Sequence, residues 1–146
     1  MSILVTNGRF GKVEEGLQFT SFDSSNPVVQ IPHLNVASDV NPVDLLPHVK
    51  GVSMIRIDFP TSADGRGNSI AKALRDHGFT GHLRAKGHVL ADQYPLALRC
   101  GFDDVEITSE HAARQPEWQW QDAYSRTQNS YQQRLMRRPL AARHAA

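Results

Sequence analysis

Three short segments of the chain alternate apolar and polar residues with a period of two, and each runs into a stretch of helical spacing. Ile55, Ile57 and Phe59 share one face of the first, with Arg56 and Asp58 on the other. Leu83 and Ala85 oppose His82, Arg84 and Lys86 in the second, and Val105 and Ile107 oppose Glu106 and Thr108 in the third. Period two is the side-chain repeat of a β-strand. Strands alternating with helices make βα units around a parallel sheet. A doubly wound sheet is covered on both faces, so its strands read as nearly unbroken apolar runs. These strands do not. The expected fold is therefore α/β, with successive βα units and a parallel sheet, half-barrel-like, with helices mainly on one face. The polar face, carrying Arg56, Asp58, Arg84 and Glu106, is expected to close internally or against a second copy of the chain, a homodimer through the sheet.

Turn and cap signals fill in the rest. Ile3–Thr6 followed by Asn7-Gly8 predicts an N-terminal β-hairpin, because Asn-Gly accepts the positive φ that both central turn positions need. Residues 17–22 are the candidate returning strand, and 23–27 have loop composition. Ser38 or Asn41 caps a short helix through Leu45, Leu46 and Val49, with Pro42 near its first turn. Asn68 or Ser69 opens a helix that Gly78 ends, and residues 90–100 form one that Gly101 ends. A helical stretch from Ser109 breaks around Pro116. The predicted organisation is a single α/β domain over 1–133, with the hairpin and loop in 1–27 and the βα units in 28–133. A basic flexible tail follows over 134–146. After Asp122 come Arg126, Arg134, Arg137, Arg138 and Arg143 with no further acidic residue.

Composition narrows the function. A 146-residue chain with 40% hydrophobic and 21% charged residues can bury a core and is not a disordered chain. A net charge of +1 argues against a dedicated nucleic-acid binder. Spanning a bilayer takes about 20 consecutive apolar residues, and no such run occurs, so no membrane association is expected. The N-terminus lacks a signal-peptide pattern, and the expected location is cytoplasmic. One cysteine, Cys100, cannot anchor a cluster or a disulfide framework. None of the seven histidines forms a His-x-x-x-His pair or an HExxH setting, so no metal site is expected.

The candidate ligand-binding residues are Asp58, Asp64, Gly65, Arg66, Gly67, Arg84, Asp92, Gln93 and Arg99. Asp64-Gly65-Arg66-Gly67 follows a strand and precedes a helix, where ligands bind in open α/β sheets and barrels. Its glycines permit close backbone approach, and Arg66 is a planar bidentate donor for an oxyanion. The plainer account is a tight βα turn in which Asp64 bonds its own backbone and Arg66 makes a salt bridge. Likewise, Asp58 and Arg84 on adjacent strands can form one rim with Arg66 or simply neutralise each other. Catalytic residues are unknown at this level, and no nicotinamide or flavin fingerprint is present. No cofactor is expected. Trp120, Tyr124 and Tyr131 lie near one helical face, which suits core packing or a docking helix.

From Ile57 onward a longer series of short strings occurs in order. They are Asp58-Phe59-Pro60, Asp64-Gly65-Arg66-Gly67, Leu74-Arg75, Gly78-Phe79-Thr80-Gly81, Leu83-Arg84-Ala85, Asp92-Gln93 and Arg99-Cys100-Gly101-Phe102-Asp103. This series resembles the bacterial domain-of-unknown-function family 934, described as a probable oxidoreductase involved in sulfite reduction. The resemblance implies a cytoplasmic role in assimilatory sulfate reduction, beside the sulfite reductase haemoprotein. It carries over no catalytic residue. Two functions follow as expectations. One is an accessory protein of assimilatory sulfite reduction acting with sulfite reductase. The other is a small barrel-like enzyme or anion-binding protein that holds a sulfur oxyanion or phosphorylated ligand at the Asp64–Gly67 loop.

Overall fold

A computed structural model describes residues 2–23, 25 and 32–137, with 129–137 described by their helical backbone. Seven strands form one sheet: β1 (Ser2–Thr6), β2 (Arg9–Lys12), β3 (Thr20–Ser21), β4 (His33–Val36), β5 (Met54–Phe59), β6 (His82–Gly87) and β7 (Asp104–Thr108). Their spatial order is β2-β1-β7-β6-β5-β4-β3. β3 to β7 are parallel, and the β1–β2 hairpin adds antiparallel to β7.

Because β4, β5, β6 and β7 are neighbours in chain order, every crossover turns the same way and puts its helix on the same face. The helices are α1 (Pro42–Leu45), α2 (Arg66–Asp76), α3 (Tyr94–Cys100), α4 (Ser109–Arg114) and α5 (Glu117–Arg137). α2 packs on α3, and α3 on α5, in a single layer. Beneath them lie Leu34, Val36, Ile55, Ile57, Leu83, Ala85, Val105 and Ile107, all buried, against Ile70, Leu74, Tyr94 and Trp120. Those on β5, β6 and β7 are the strand faces that alternation assigned to the core. The expected architecture is observed: mixed α/β, with a mostly parallel sheet and an N-terminal hairpin.

Local signals act as their chemistry requires. Asn41 Oδ1 accepts the Val43 N–H at 3.0 Å and Pro42 opens α1. Gly101 stops α3 at φ +111°, a conformation that disfavours any Cβ. The hairpin turns at Asn7 and Gly8, with φ +52° and +77°. Its returning strand is Arg9–Lys12 rather than residues 17–22, since two turn residues suffice to reverse the chain. α2 begins at Arg66, before the expected Asn68, so Arg66 and Gly67 belong to the helix. α5 extends to Arg137, past the boundary set at 133, and Arg126 lies 3.6 Å from Asp122 one turn back. Residues 138–146 lie outside the described residues.

The path from β2 to β3 decides what happens on the polar face. These strands are consecutive in the chain yet occupy opposite edges of the sheet. Six strand spacings of about 4.8 Å give roughly 29 Å along a flat sheet. The eight Cα steps from Lys12 to Thr20 reach at most about 29 Å when fully extended, and a turn at Glu15–Gly16 shortens them. Residues 13–19 therefore form a strap that crosses the face opposite the helices, and the sheet must curve towards it. Glu14 meets Arg84 on β6, and the Phe19 ring lies 3.9 Å from the Arg56 guanidinium on β5 and 5.7 Å from the His33 ring on β4. Of the two closures expected for the polar face, the strap supplies the internal one.

Candidate functional site

The nominated residues separate into two places. Asp64, Gly65, Arg66, Gly67, Asp92 and Gln93 gather at the carboxyl ends of β5 and β6. Asp58 and Arg84 stand on the polar sheet face. Arg99 is exposed on α3 and joins neither group.

At the strand ends, Asp64 takes the Arg66 side chain through two bonds, Nε to Oδ1 at 2.9 Å and Nη2 to Oδ2 at 2.8 Å, and also accepts the Arg66 backbone N–H at 3.1 Å. Hydrogen bonds from Arg66 and from Ser38 hold the Asp64 carboxyl far below the usual carboxylate range. The carboxylate therefore stands where an incoming oxyanion would have to bind, on the same donors. Gln93 closes the neighbouring loop: its Oε1 accepts the Leu90 N–H at 3.0 Å and its Nε2 donates to the Ser62 carbonyl at 2.8 Å. Asp92 is exposed. Gly67 is required for packing, because a Cβ there would come within 2.7 Å of the Phe59 ring. A pocket of ≈ 170 Å³ lies between α2 and α3, lined by Phe59, Ser62, Asp64, Asn68, Val89 and Gln93 among others. The turn account of this loop describes its geometry.

Beneath the strap the polar face forms a charged layer in strict register. Arg56 is opposite Arg84, Arg84 opposite Asp104, Asp58 opposite Lys86, and Lys86 opposite Glu106. Arg84 is wholly buried, and Asp104 and Glu106 nearly so. Arg84 Nε and Nη2 donate to Asp104 Oδ1 and Oδ2 at 2.9 and 3.2 Å, and Nη2 also meets Glu14 Oε2 at 3.2 Å. The expected Asp58–Arg84 neutralisation does not occur. Asp58 instead accepts from Asn35 Nδ2 at 3.1 Å, and Asn35 Oδ1 accepts from Arg56 Nε at 2.8 Å. Arg56 Nη1 lies 3.5 Å from Glu106 Oε1.

His82 completes the layer. Its Nε2 is 2.8 Å from Asp104 Oδ2, and this hydrogen bond raises the imidazole pKa against the opposing effect of burial. Burial also works against ionisation of Asp104, but hydrogen bonds from His82 and Arg84 hold its carboxyl below the ordinary range. Glu14 is lowered too, first by a hydrogen bond from its own backbone and then, against burial, by Arg84. Two atoms in the layer find no hydrogen-bond partner among the described residues: Arg84 Nη1 and Glu106 Oε1.

Sequence reasoning named Arg84 but missed Glu14, His82 and Asp104 as its companions. His82 and Arg84 share a strand face by alternation, which is a readable signal, whereas Glu14 is 70 residues away and arrives only through the strap. Cys100 is half-buried, and burial raises its thiol pKa, the opposite of an activated cysteine. Among the described residues no three His, Cys, Asp or Glu side chains converge as a metal site would need, and no helix is long and apolar enough to cross a membrane.

The family model described as a bacterial protein of unknown function, DUF934, matches residues 33–141. The chain belongs to that family. No curated protein and no solved structure is similar enough to it to count as a match. The matched span of this DUF934 chain opens at β4 and includes Arg66, Arg84 and Asp104, whereas the hairpin and the Glu14 strap precede it.

Proposed function

We propose that this DUF934 protein is a non-catalytic accessory protein of assimilatory sulfite reduction, acting in the cytoplasm with the sulfite reductase haemoprotein. The pathway comes from the family resemblance carried by the strings between Ile57 and Asp103. The observation that most supports an accessory role over a catalytic one is how the nominated groups are used. Asp64 and Arg66 hold each other at 2.8 Å, and Asp104 holds Arg84 through two bonds at 2.9 and 3.2 Å. Groups tied into such pairs set loop and sheet geometry and are poorly placed to accept or donate a proton to a substrate. The oxyanion reading of the Asp64–Gly67 loop has the Asp64 carboxylate against it.

The test is affinity capture of the tagged protein from its native cells growing on sulfate as sulfur source. Stoichiometric recovery of the haemoprotein, repeated with the two purified proteins alone, is the expected result. Recovery of the chain by itself from both the cells and the purified mixture would overturn the proposal.

A further inference from the structure

We infer that the polar sheet face under the strap is a binding site for a small carboxylate, and that Glu14 occupies it as a built-in stand-in. Arg84 does not use all of its donors. A guanidinium has five N–H groups and presents two edges that match a carboxylate, one through Nε and Nη2 and one through Nη1 and Nη2. Asp104 takes the first edge. The second edge is touched by Glu14 at Nη2 alone, at 3.2 and 3.5 Å, while Nη1 has no partner among the described residues although the side chain is wholly buried. A buried donor left unpaired has lost its water without a replacement partner, and a carboxylate placed squarely on that edge supplies one.

The charge balance agrees. On this face Arg56, Arg84 and Lys86 stand against Asp58, Asp104 and Glu106, three against three, with His82 shared by Asp104 and, more distantly, Asp103. Glu14 is the additional anion, and it belongs to the strap rather than to the sheet. When the strap lifts, the layer is neutral or, with His82 protonated, singly positive. In the protonated state one carboxylate restores the balance. Glu106 Oε1 makes no hydrogen bond, with Arg56 Nη1 at 3.5 Å its ion-pair neighbour, and can accept one from a ligand that carries an N–H or O–H beside its carboxylate, as an amino or hydroxy acid does.

The strap is built to let go. None of residues 13–19 is buried, and the Glu14 side chain is 55% exposed. The described side-chain anchors to the sheet are the Glu14–Arg84 ion pair and the Phe19 ring on Arg56 and His33. Gly16, at φ +82° with open space around its Cβ position, gives the strap a pivot.

The experiment follows the backbone amides of Arg84 and residues 13–19 by NMR while wild type and Glu14→Gln are titrated with sodium succinate and sodium lactate. Sodium sulfate at matched ionic strength is the comparison anion. Removing the internal competitor should tighten carboxylate binding about tenfold if the strap is closed roughly nine-tenths of the time, with shifts centred on Arg84. Phe19→Ala, which loosens the strap and keeps Glu14, should change affinity in the same direction and speed hydrogen exchange over 13–19. Equal carboxylate affinity in wild type and both variants, or shifts that avoid Arg84, would overturn the inference. A sulfate response equal to that of the carboxylates would overturn the ligand class.

Discussion

Arg84 and Asp104 face each other directly across β6 and β7, and at 2.9 and 3.2 Å their side chains form a two-bond ion pair with almost no contact with water. Such a pair is held together more by what its loss would leave than by its net attraction. Asp104→Ala strands a buried guanidinium and is expected to destabilise the fold by about 3–5 kcal/mol. The double change Arg84→Met with Asp104→Leu removes both charges and is expected to restore most of that loss. Urea denaturation of Asp104→Leu, Arg84→Met and the double variant, read as a mutant cycle, measures the coupling, with Asp104→Ala giving the cost of the stranded charge.

Gly101 serves Arg75 as much as it serves the helix end. The Arg75 guanidinium donates to the carbonyls of Gly101, Phe79 and Gly81 and to Asp103, tying the end of α3 to the starts of β6 and β7. A Cβ on Gly101 would come within 2.5 Å of Arg75 Cγ, whereas one on Gly16 would meet nothing within 4 Å. Both glycines have positive φ, so each alanine variant carries about 1–2 kcal/mol of backbone strain. Gly101→Ala must also displace Arg75 and is expected to reach roughly 3 kcal/mol or more. Comparing the two unfolding midpoints isolates the Arg75 contribution.

Arg66 gives a contrasting case. Its side chain is 62% exposed and bonded to Asp64, so it shapes the turn without supporting the core. Arg66→Ala is expected to keep the fold and lower the thermal midpoint slightly with no ligand present. Asp64→Ala is expected to lower it further, because the Asx bond to the Arg66 backbone N–H is lost as well. Circular dichroism melts in ligand-free buffer test the order.

Trp120 is the anchor of α5. It is fully buried, stacks edge-on to Tyr94 at 5.4 Å and donates Nε1–H to the Gln115 carbonyl at 3.0 Å. The same corner seats the hairpin: Tyr94 accepts the Gly8 N–H at 3.2 Å, and burial pushes the Tyr94 phenol up to about 12. Trp120→Ala is expected to cost about 3–5 kcal/mol and to loosen the β1–β2 turn. Trp120→Phe keeps the stacking face but takes the indole donor from the Gln115 backbone carbonyl, for a loss of about 1 kcal/mol. Chemical denaturation, with hydrogen exchange at Gly8 as the local reporter, distinguishes the two effects.

These relationships differ in how far the sequence discloses them. Ile55, Ile57 and Phe59 against Arg56 and Asp58 give both the strand and its faces, because alternation is a local consequence of the pleat. Asn41-Pro42 and Gly101 mark helix ends for equally local reasons. Which polar residue meets which is not local. Asp58 and Arg84 lie on neighbouring strands, but register puts Asp104 beside Arg84 and leaves Asp58 to Asn35. Register is set by packing across the whole sheet, and alternation within one strand is blind to it. The strap was hidden for a further reason. β3 is two residues long and carries no periodicity, so nothing in 13–21 announces a crossing to the far edge. Tyr131, grouped with Trp120 from spacing, falls where side chains are outside the described residues.

His82 makes the fold sensitive to pH on the alkaline side. Its partners are Asp104, through the hydrogen bond that raises its pKa, with Asp103 adding to the rise and burial and Arg84 opposing it. An unfolded histidine titrates near about 6.5, and the folded one titrates above that. The folded state therefore binds the proton more tightly, and the stabilisation is complete below the unfolded value. It fades as pH rises through the raised folded pKa, because both states are then neutral. Asp104 has the opposite dependence. Its folded pKa lies below the ordinary carboxylate value, so its contribution is present above that value and is lost as pH falls through the depressed one. Urea midpoints measured between about pH 5.5 and 8.5 should decline towards the alkaline end. His82→Gln keeps a hydrogen-bond donor for Asp104 but cannot titrate, so it should flatten that slope. An unchanged slope in His82→Gln would assign the pH dependence to another group.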